Sequence, residues 1–149
     1  MAKPATPLLT VDCVAFDARG RMLLIRRAKP PFAGRYALPG GFVDVGETVE
    51  AACRRELNEE TGLSARELVL VGVYSDPARD PRGHTASVVF ATVLPPGRPR
   101  SGDDAAAAEW VARWRQENLA FDHNTIARDA ERVMRRKKRI PAGTTKVRK

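Results

Sequence analysis

Short segments in which apolar residues alternate with polar ones, or run together, occupy much of the chain and are typical of strands. Two of them, residues 8–16 and 21–27, flank the polar residues 17–20 and predict a hairpin. Later segments of the same kind predict strands at residues 42–43, 68–74, 85–94 and 109–115. The chain is therefore expected to build a sheet from consecutive short strands.

Two segments have the 3.6-residue period of helices instead. The first begins at Thr48, a residue type that caps helix N-termini, and ends at Gly62, which favours the left-handed conformation of a helix end. The second covers residues 118–136, where Ile126, Ala127 and Ala130 share one face. With strands in the middle and helices beside them, the pattern predicts an α/β/α sandwich around a mixed β-sheet.

Three glutamates of the first helix lie on one side of a single turn. At 100° per residue, Glu56 and Glu60 are about 40° apart, and Glu59 is about 60° from Glu56. Like charges at these spacings destabilise a helix, and these continue the apolar stripe that starts at Val49 and Cys53. A divalent cation with oxygen ligands explains the cluster better than a solvated acidic face does. The pattern therefore predicts a metal site.

The surrounding residues form a longer, ungapped pattern. Five residues separate Gly41 from Glu47, and seven residues separate Glu47 from Arg55. Three glutamates and a Gly-Leu pair follow Arg55: Glu56, Glu59, Glu60, Gly62 and Leu63. This block resembles the Nudix box, the loop–helix–loop of hydrolases that cleave nucleoside diphosphates linked to another group. The resemblance is complete at every defining position, and it implies the same fold class.

The resemblance also implies roles for individual residues. Gly40 would offer its carbonyl to the metal, and Glu56, Glu59 and Glu60 would add carboxylates, while Glu47 would hold Arg55 so that the arginine orients the ligands. The implied cofactor is Mg²⁺, which Mn²⁺ could replace. Within the box, Glu56 is the first choice as ligand or general base; in the loop before residue 109, Asp103 and Asp104 are further candidates, with turn and cap residues as the alternative reading.

Segments outside the box indicate the substrate. Residues 72–90 (GVYSDPARDPRGHTASVVF) and the run GRYALPGGFVDVGET resemble small bacterial and archaeal ADP-ribose pyrophosphatases, as does the position of Pro77 beyond the box. The resemblance covers roughly residues 8–131. It implies Mg²⁺-dependent hydrolysis of ADP-ribose by a metal-activated water, with AMP and ribose 5-phosphate as products.

Arginines and polar residues of the loop at residues 75–84 are candidate contacts for that substrate. Arginine suits bidentate binding of phosphate, and a carboxylate can accept hydrogen bonds from ribose hydroxyls. The candidates are Arg27, Arg35, Ser75, Arg79, Asp80 and Arg82. The alternative is a surface turn tied together by Asp–Arg pairs. Phe32, Tyr36 and Phe121 could stack on adenine, although core packing is the better explanation for each of them.

Composition fits one domain with a basic end. The chain has 149 residues and a net charge of +8, but residues 132–149 hold nine basic residues and no acid, so the remaining residues carry 17 basic and 18 acidic groups. We therefore expect a single domain over residues 1–136 and a solvated, disordered tail over residues 137–149. Such a tail predicts no dedicated nucleic-acid partner.

Cellular location and association are less sharply indicated. Cys13 and Cys53 have no CxxC spacing, no segment is long and apolar enough for a membrane span, and Asp12 interrupts the apolar run near the N-terminus. These features predict a cytoplasmic protein with reduced thiols and no membrane partner. The oligomeric state stays open, with a homodimer as one option because relatives are often dimers.

Other functions compete with ADP-ribose hydrolysis. One is pyrophosphohydrolysis of oxidised nucleoside triphosphates, and another is a regulator that binds ADP-ribose without cleaving it. Because such regulators tend to have damaged boxes and an added DNA-binding domain, the intact box of this short chain favours an enzyme. An activity directed at RNA is motivated only by the basic tail.

Overall fold

The computed structural model describes residues 2–102 and 105–141. Its strands are β1 (Leu8–Phe16), β2 (Met22–Arg27), β3 (Tyr36–Ala37), β4 (Gly40–Phe42), β5 (Val69–Tyr74), β6 (Thr85–Val93) and β7 (Ala105–Val111). Its α-helices are α1 (Val49–Thr61) and α2 (His123–Arg136), and a short 3₁₀ turn spans Trp114–Gln116.

The strands form one mixed sheet with β1 at its centre. The order is β3-β2-β1-β6-β5, while β4 pairs with β1 and β7 pairs with β2. The β1–β6 pair is parallel and all other pairs are antiparallel. The β1–β4 pairing sets Asp12 opposite Gly40 and Val11 opposite Gly41. The glycines at the start of the box are thus fixed on the central strand.

Each face of the sheet is covered by one helix. Successive residues of a strand point to opposite faces, so Val14 and Phe16 pack with α2 while Cys13 and Ala15 pack with α1. Because both faces are buried, β1 reads as an apolar run in its second half and not as an alternating strand. The predicted α/β/α sandwich around a mixed sheet is confirmed.

Both ends of α1 follow the sequence prediction. The Thr48 hydroxyl accepts a hydrogen bond from the Ala51 N–H at 3.0 Å, and Gly62 has the left-handed φ of 75° while its N–H donates to the Asn58 carbonyl. Because the cap residues define the start and end of the helix, they also define which turn carries the glutamates.

Two predicted boundaries in the C-terminal third are wrong. The strand predicted at residues 109–115 is β7, which starts at Ala105 and ends at Val111. Its four alanines favour helices by propensity, but pairing with β2 overrides that preference. The helix predicted from residue 118 begins only at His123, because Phe121 has a φ of 53° and the Asn124 side chain binds the backbone of Leu119.

The predicted basic tail begins against the core. Ile140 is buried in the cluster that includes Met134 of α2. The rest of that prediction, residues 142–149, lies outside the described part of the chain. No helix within the described residues has the length and apolarity needed to cross a membrane.

Candidate active site

The carboxyl groups of Glu56 and Glu60 meet where α1 passes behind β4. Glu60 accepts a hydrogen bond from the Gly40 N–H at 2.9 Å, and the Glu56 carboxyl is close enough to contribute to the raised pKa of Glu60. A Cβ atom on Gly41 would lie 2.6 Å from the Glu56 carboxyl, so a larger residue here would displace that carboxyl. Burial, aided by the nearby Glu56, raises the pKa of Glu60 to about 9. Glu60 is therefore a buried carboxyl that a cation would keep ionised.

Arg55 connects the loop before α1 to the acidic turn. Its Nε and Nη2 donate to the two carboxylate oxygens of Glu47 at 2.7 and 2.9 Å, and its Nη1 donates to Glu56 Oε1 at 2.7 Å. Nη2 also donates to the Phe42 carbonyl at 3.0 Å. The Arg55 hydrogen bonds and that of the Asp44 N–H lower the pKa of Glu47 to about 2. This is the contact that the box predicts between Glu47 and Arg55.

The predicted three-carboxylate cage is not assembled as expected. Among the described residues, no group of three His, Cys, Asp or Glu side chains is arranged to hold a metal ion. The Glu59 side chain is 58% exposed and points to Arg55 Nη1 at 3.4 Å. The donor set itself, carboxylates around one glycine-lined recess, fits a hard divalent cation.

Glu56, Glu59 and Glu60 nevertheless face one cavity, of about 750 Å³, together with Gly40 and Gly102. We call this region the acidic lobe. Arg27 and Arg82 line the same cavity. Both guanidinium groups lie over the Phe121 ring, at 5.0 and 5.4 Å from its centroid. Burial, followed by the charge of Arg82, lowers the pKa of Arg27. Two arginines held this close together favour an anion between them.

Two other candidate substrate contacts form hydrogen bonds with protein side chains. Arg79 is 5% exposed, donates to both carboxylate oxygens of Asp122 at 2.9 and 2.8 Å, and donates to the Thr85 hydroxyl at 2.7 Å. These protein partners use Nε, Nη1 and Nη2, although Arg79 also lines the cleft, and its role in binding phosphate stays a prediction. Asp80 lines the cleft, but Arg82 donates to both of its carboxylate oxygens. The Asp–Arg tie considered above thus describes this turn.

Ser75 and Arg35 were also predicted to contact substrate, and the structure sets them apart from the cleft. Ser75 is exposed, and its carbonyl is 2.9 Å from His84 Nε2. Arg35 is exposed and lies over the Phe32 ring at 5.2 Å. Neither lines the cavities at the acidic turn. Loop residues of this kind have no periodicity from which their direction can be read, so proximity in sequence was misleading.

A smaller cavity of about 100 Å³ extends the cleft inward, and we call it the inner chamber. It is lined by Asp12, Thr85 and His123 and shares Gly40, Glu60, Arg27 and Arg82 with the acidic lobe. The Leu38 N–H donates to His123 Nδ1 at 3.0 Å, so in the neutral ring the proton is on Nε2, 3.5 Å from Asp12 Oδ1. Burial lowers the pKa of His123 and raises that of Asp12.

Sequence reasoning missed three residues of this chamber, Asp12, Thr85 and His123. One signal was available, because Asp12 is the single charged residue within the strand LLTVDCVAF. A carboxylate that is buried on a central strand needs a partner or a function. His123 had no comparable signal, since the turn that starts α2 there was not predicted.

The segment before β7 is fastened to the end of α1. The Gly102 N–H donates to the Glu60 carbonyl at 3.2 Å, and a Cβ atom at this position would lie 2.2 Å from the Glu59 carbonyl oxygen. Asp103 and Asp104 themselves lie outside the described residues.

Comparisons with known proteins agree with this geometry. A family model described as NUDIX domain matches residues 6–136. An ADP-ribose pyrophosphatase of Methanocaldococcus jannaschii is 48% identical over 123 residues, which are 83% of this chain and 72% of that protein. An ADPR responsive transcriptional repressor, NtrR, of Acinetobacter baylyi is 33% identical over 145 residues, which are 92% of this chain and 58% of the repressor.

A solved structure resembles the whole sandwich. The NUDIX domain of Shewanella oneidensis NrtR, in a cocrystal with ADP ribose, superimposes with a TM-score of 0.81 at 28% identity. The match covers 87% of this chain and 90% of that domain. The predicted family and its fold are thus confirmed by sequence and by structure.

Proposed function

Because the chain belongs to the Nudix hydrolase family, we propose that it hydrolyses the diphosphate bond of ADP-ribose to AMP and ribose 5-phosphate, with Mg²⁺ as cofactor. One observation carries the proposal: the acidic turn of α1 faces Arg27 and Arg82 across a single cavity. Carboxylates that can hold a cation and arginines that can bind oxyanions then meet on the same diphosphate.

The metal would be held by Glu56, Glu59, Glu60 and the Gly40 carbonyl. Members of this family generally use divalent ions, and the oxygen donors here suit Mg²⁺, with Mn²⁺ as a possible substitute. When bound, the cation supplies charge neutralisation and a water of lowered pKa. The raised pKa of Glu60 supports this assignment, because a buried pair of acids keeps a proton unless a cation compensates the second charge.

Residues of the chain have separate tasks around that centre. Arg55 orients Glu56 and is itself held by Glu47, so these two residues position the ligand set. Glu56 is the candidate within the box for accepting the proton of the attacking water, and Asp104 is the candidate outside it. The hydrogen bond from Gly102 to Glu60 supports the second choice, because it anchors the chain beside the acidic turn one residue before Asp103.

Arg27 and Arg82 would bind the diphosphate oxygens. Arg27 Nε donates to the Pro31 carbonyl at 2.7 Å, and Arg82 is held by Asp80, so both guanidinium groups are oriented before substrate arrives. Preorganised donors lower the cost of ordering on binding. Further substrate contacts predicted from the loop at residues 75–84 are not part of this proposal, apart from Asp80, which orients Arg82.

The direct test is product analysis. Purified protein is incubated with ADP-ribose and Mg²⁺, and AMP and ribose 5-phosphate are separated by chromatography. We expect equimolar amounts of both products, no turnover when the metal is chelated, and recovery on adding Mg²⁺ or Mn²⁺. Turnover of 8-oxo-dGTP without turnover of ADP-ribose would instead support a pyrophosphohydrolase of oxidised nucleoside triphosphates.

Binding of ADP-ribose as a signal is the second candidate function. Its support is the similarity to the repressor, of whose length this chain matches 58%. Against it, Glu56, Glu59, Glu60 and Arg55 are all retained, and a binding protein has no need of them. Calorimetric binding of ADP-ribose without release of AMP would favour the sensor. We place either activity in the cytoplasm, where the free Cys13 and Cys53 would stay reduced.

A further inference from the structure

Asp12 is the least explained charged residue of the cleft. Its side chain is 10% exposed, and it projects from the central strand into the inner chamber. Among the described residues, the one hydrogen bond that its carboxylate accepts comes from the Ser87 hydroxyl to Oδ2, at 2.5 Å. His123 and Arg79 stay at 3.5 and 3.7 Å. A carboxylate has about four acceptor sites, so most of this capacity is unused.

The surroundings decide which group could use it. An anionic phosphate is excluded from contact with a buried carboxylate and is better placed at Arg27 and Arg82. A purine needs a free aromatic or apolar face, but the Phe121 ring at the rim is already contacted by Phe32, His123 and the two arginines. A neutral group that carries several O–H donors is not repelled by the carboxylate and does not need a free aromatic or apolar face.

The position of the chamber fits the sugar next to a diphosphate. The chamber opens beside the acidic lobe and shares Arg27, Arg82 and Glu60 with it, yet it is much smaller, about 100 Å³ against 750 Å³. In a nucleoside diphosphate sugar, the terminal sugar is one ester bond from the phosphates. The sugar can therefore enter the chamber while the nucleoside stays in the wider part.

We propose that the inner chamber is the specificity pocket for the terminal pentose and that Asp12 accepts hydrogen bonds from its hydroxyl groups. This inference rests on the proposed hydrolysis of a nucleoside diphosphate sugar. Ser87 holds the carboxylate in place from behind, and the Gly40 backbone packs against it, since a Cβ atom there would lie 2.6 Å from Oδ1. The same strand pairing thus sets the sugar contact beside the metal ligands.

A substrate pair tests this assignment. The ratio of kcat/KM for ADP-ribose to that for the analogue with a terminal 2,3-dideoxyribose is measured in wild type and in Asp12→Asn. Hydrogen bonds to a charged acceptor correspond to a preference of about 10- to 100-fold in wild type. In Asp12→Asn the ratio should fall below about threefold, because the loss is then concentrated on the natural sugar.

Two further variants keep the test decisive. Asp17→Asn changes another buried aspartate, held by Arg21 and not lining the chamber, and should leave the ratio as in wild type. If Asp12→Asn does not fold, Ser87→Ala removes the hydroxyl that holds Asp12 and should lower the ratio in part. A wild-type ratio near one would overturn the assignment, and so would an unchanged ratio in Asp12→Asn or, if that variant does not fold, in Ser87→Ala.

Failure of the proposed function has a different signature. If wild type releases no AMP from ADP-ribose, hydrolysis is refuted, and calorimetric affinities for the same two ligands give the ratio instead. If AMP is released but Asp12→Asn lowers the rates for both substrates equally, hydrolysis stands and the role of Asp12 is refuted. An analogue with inosine in place of adenosine should behave as ADP-ribose does; dependence of the ratio on the base would place the purine in the chamber.

Discussion

The acidic lobe and the inner chamber are neighbours in space but are built in different ways. Every acid of the lobe comes from one helical turn, and the loop and cap that position that turn lie within residues 40–63. The chamber takes Asp12 from β1, Thr85 from β6 and His123 from α2, residues that are far apart in the sequence. A local motif can therefore specify the chemistry, while the recognition surface depends on the complete sheet and both helices.

Electrostatics differ in the same sense. In the lobe, carboxyl groups of like charge crowd together and have one shared arginine, Arg55, so an additional cation is needed. In the chamber, Ser87, Arg79 and His123 offset part of the cost of burying the Asp12 carboxylate, although burial still raises its pKa. We infer that loss of the cation affects the lobe strongly and the chamber only slightly.

Removal of a metal ligand should have the largest effect. Glu56→Gln and Glu60→Gln each lose a negative ligand, and we expect turnover of ADP-ribose to fall on the order of 10³-fold with the fold retained. Steady-state kinetics and urea unfolding measure the two quantities. Glu50→Gln, at an exposed position of the first turn of α1, is the matched control and should keep both wild-type values. Unaltered rates in the two ligand variants would refute the ligand set.

Substitution of a residue that contacts a metal ligand, without binding the metal itself, should reduce turnover less. Arg55→Lys keeps the charge but loses the paired hydrogen bonds to Glu47 and the geometry at Glu56, so we expect a loss of about 10- to 100-fold in turnover and a higher Mg²⁺ requirement. A Mg²⁺ titration of the rate checks this. Arg54→Lys, whose guanidinium binds carbonyls at residues 65 and 66, should leave the titration unchanged.

Gly102→Ala tests the link between the lobe and the loop before β7. The new Cβ would lie 2.2 Å from the Glu59 carbonyl oxygen, so the loop must shift, and we expect a loss of about 1–3 kcal/mol in stability. Turnover should fall by about tenfold. Gly72→Ala, where the nearest atom is 3.8 Å away, is the control for adding a methyl group. If Gly102→Ala loses stability but keeps the wild-type turnover, the loop has no role in catalysis.

The smallest expected effect concerns His123 of the chamber and is seen in how the free energy of unfolding depends on pH. Burial beside Arg79 and Arg27 lowers the pKa of His123, although Asp12 and Asp80 oppose this. Below pH 6.5, His123 therefore binds a proton in the unfolded chain but not in the folded protein. The free energy of unfolding decreases as the pH falls from 6.5 toward the lowered pKa of His123 in the folded protein. The slope is at most about 1.4 kcal/mol per pH unit.

Urea unfolding between pH 5 and 8 measures that slope. His123→Gln should remove it, since glutamine can accept the Leu38 N–H without titrating. His84, the other histidine of the chain, is exposed, and His84→Gln should retain the wild-type slope. A slope of the same sign that persists in His123→Gln would show that a group other than His123 titrates, and that group would not be Asp12, because the raised pKa of Asp12 gives the opposite sign, with stability lost as pH rises above 3.8.

The sequence by itself determined the parts that depend on local geometry. Thr48 and Gly62 define α1, and the helical period sets the glutamates on one side of it. The contact between Glu47 and Arg55 was implied by the resemblance to the Nudix box, and the structure contains it. The two apolar faces of β1 follow from a period of two. These features could be predicted because hydrogen bonds within a few residues, together with strand and helix periodicity, decide them.

Only the tertiary structure decided which side chains reach the cleft. Arg79 and Ser75 belong to the same loop as Arg82, yet one is bound to Asp122, one faces outward and one lines the cavity. Asp12 and His123 meet because β1 and α2 pack through the sheet. Contacts of this kind depend on long-range packing and on where each buried charge finds a partner, and no local pattern records either of them.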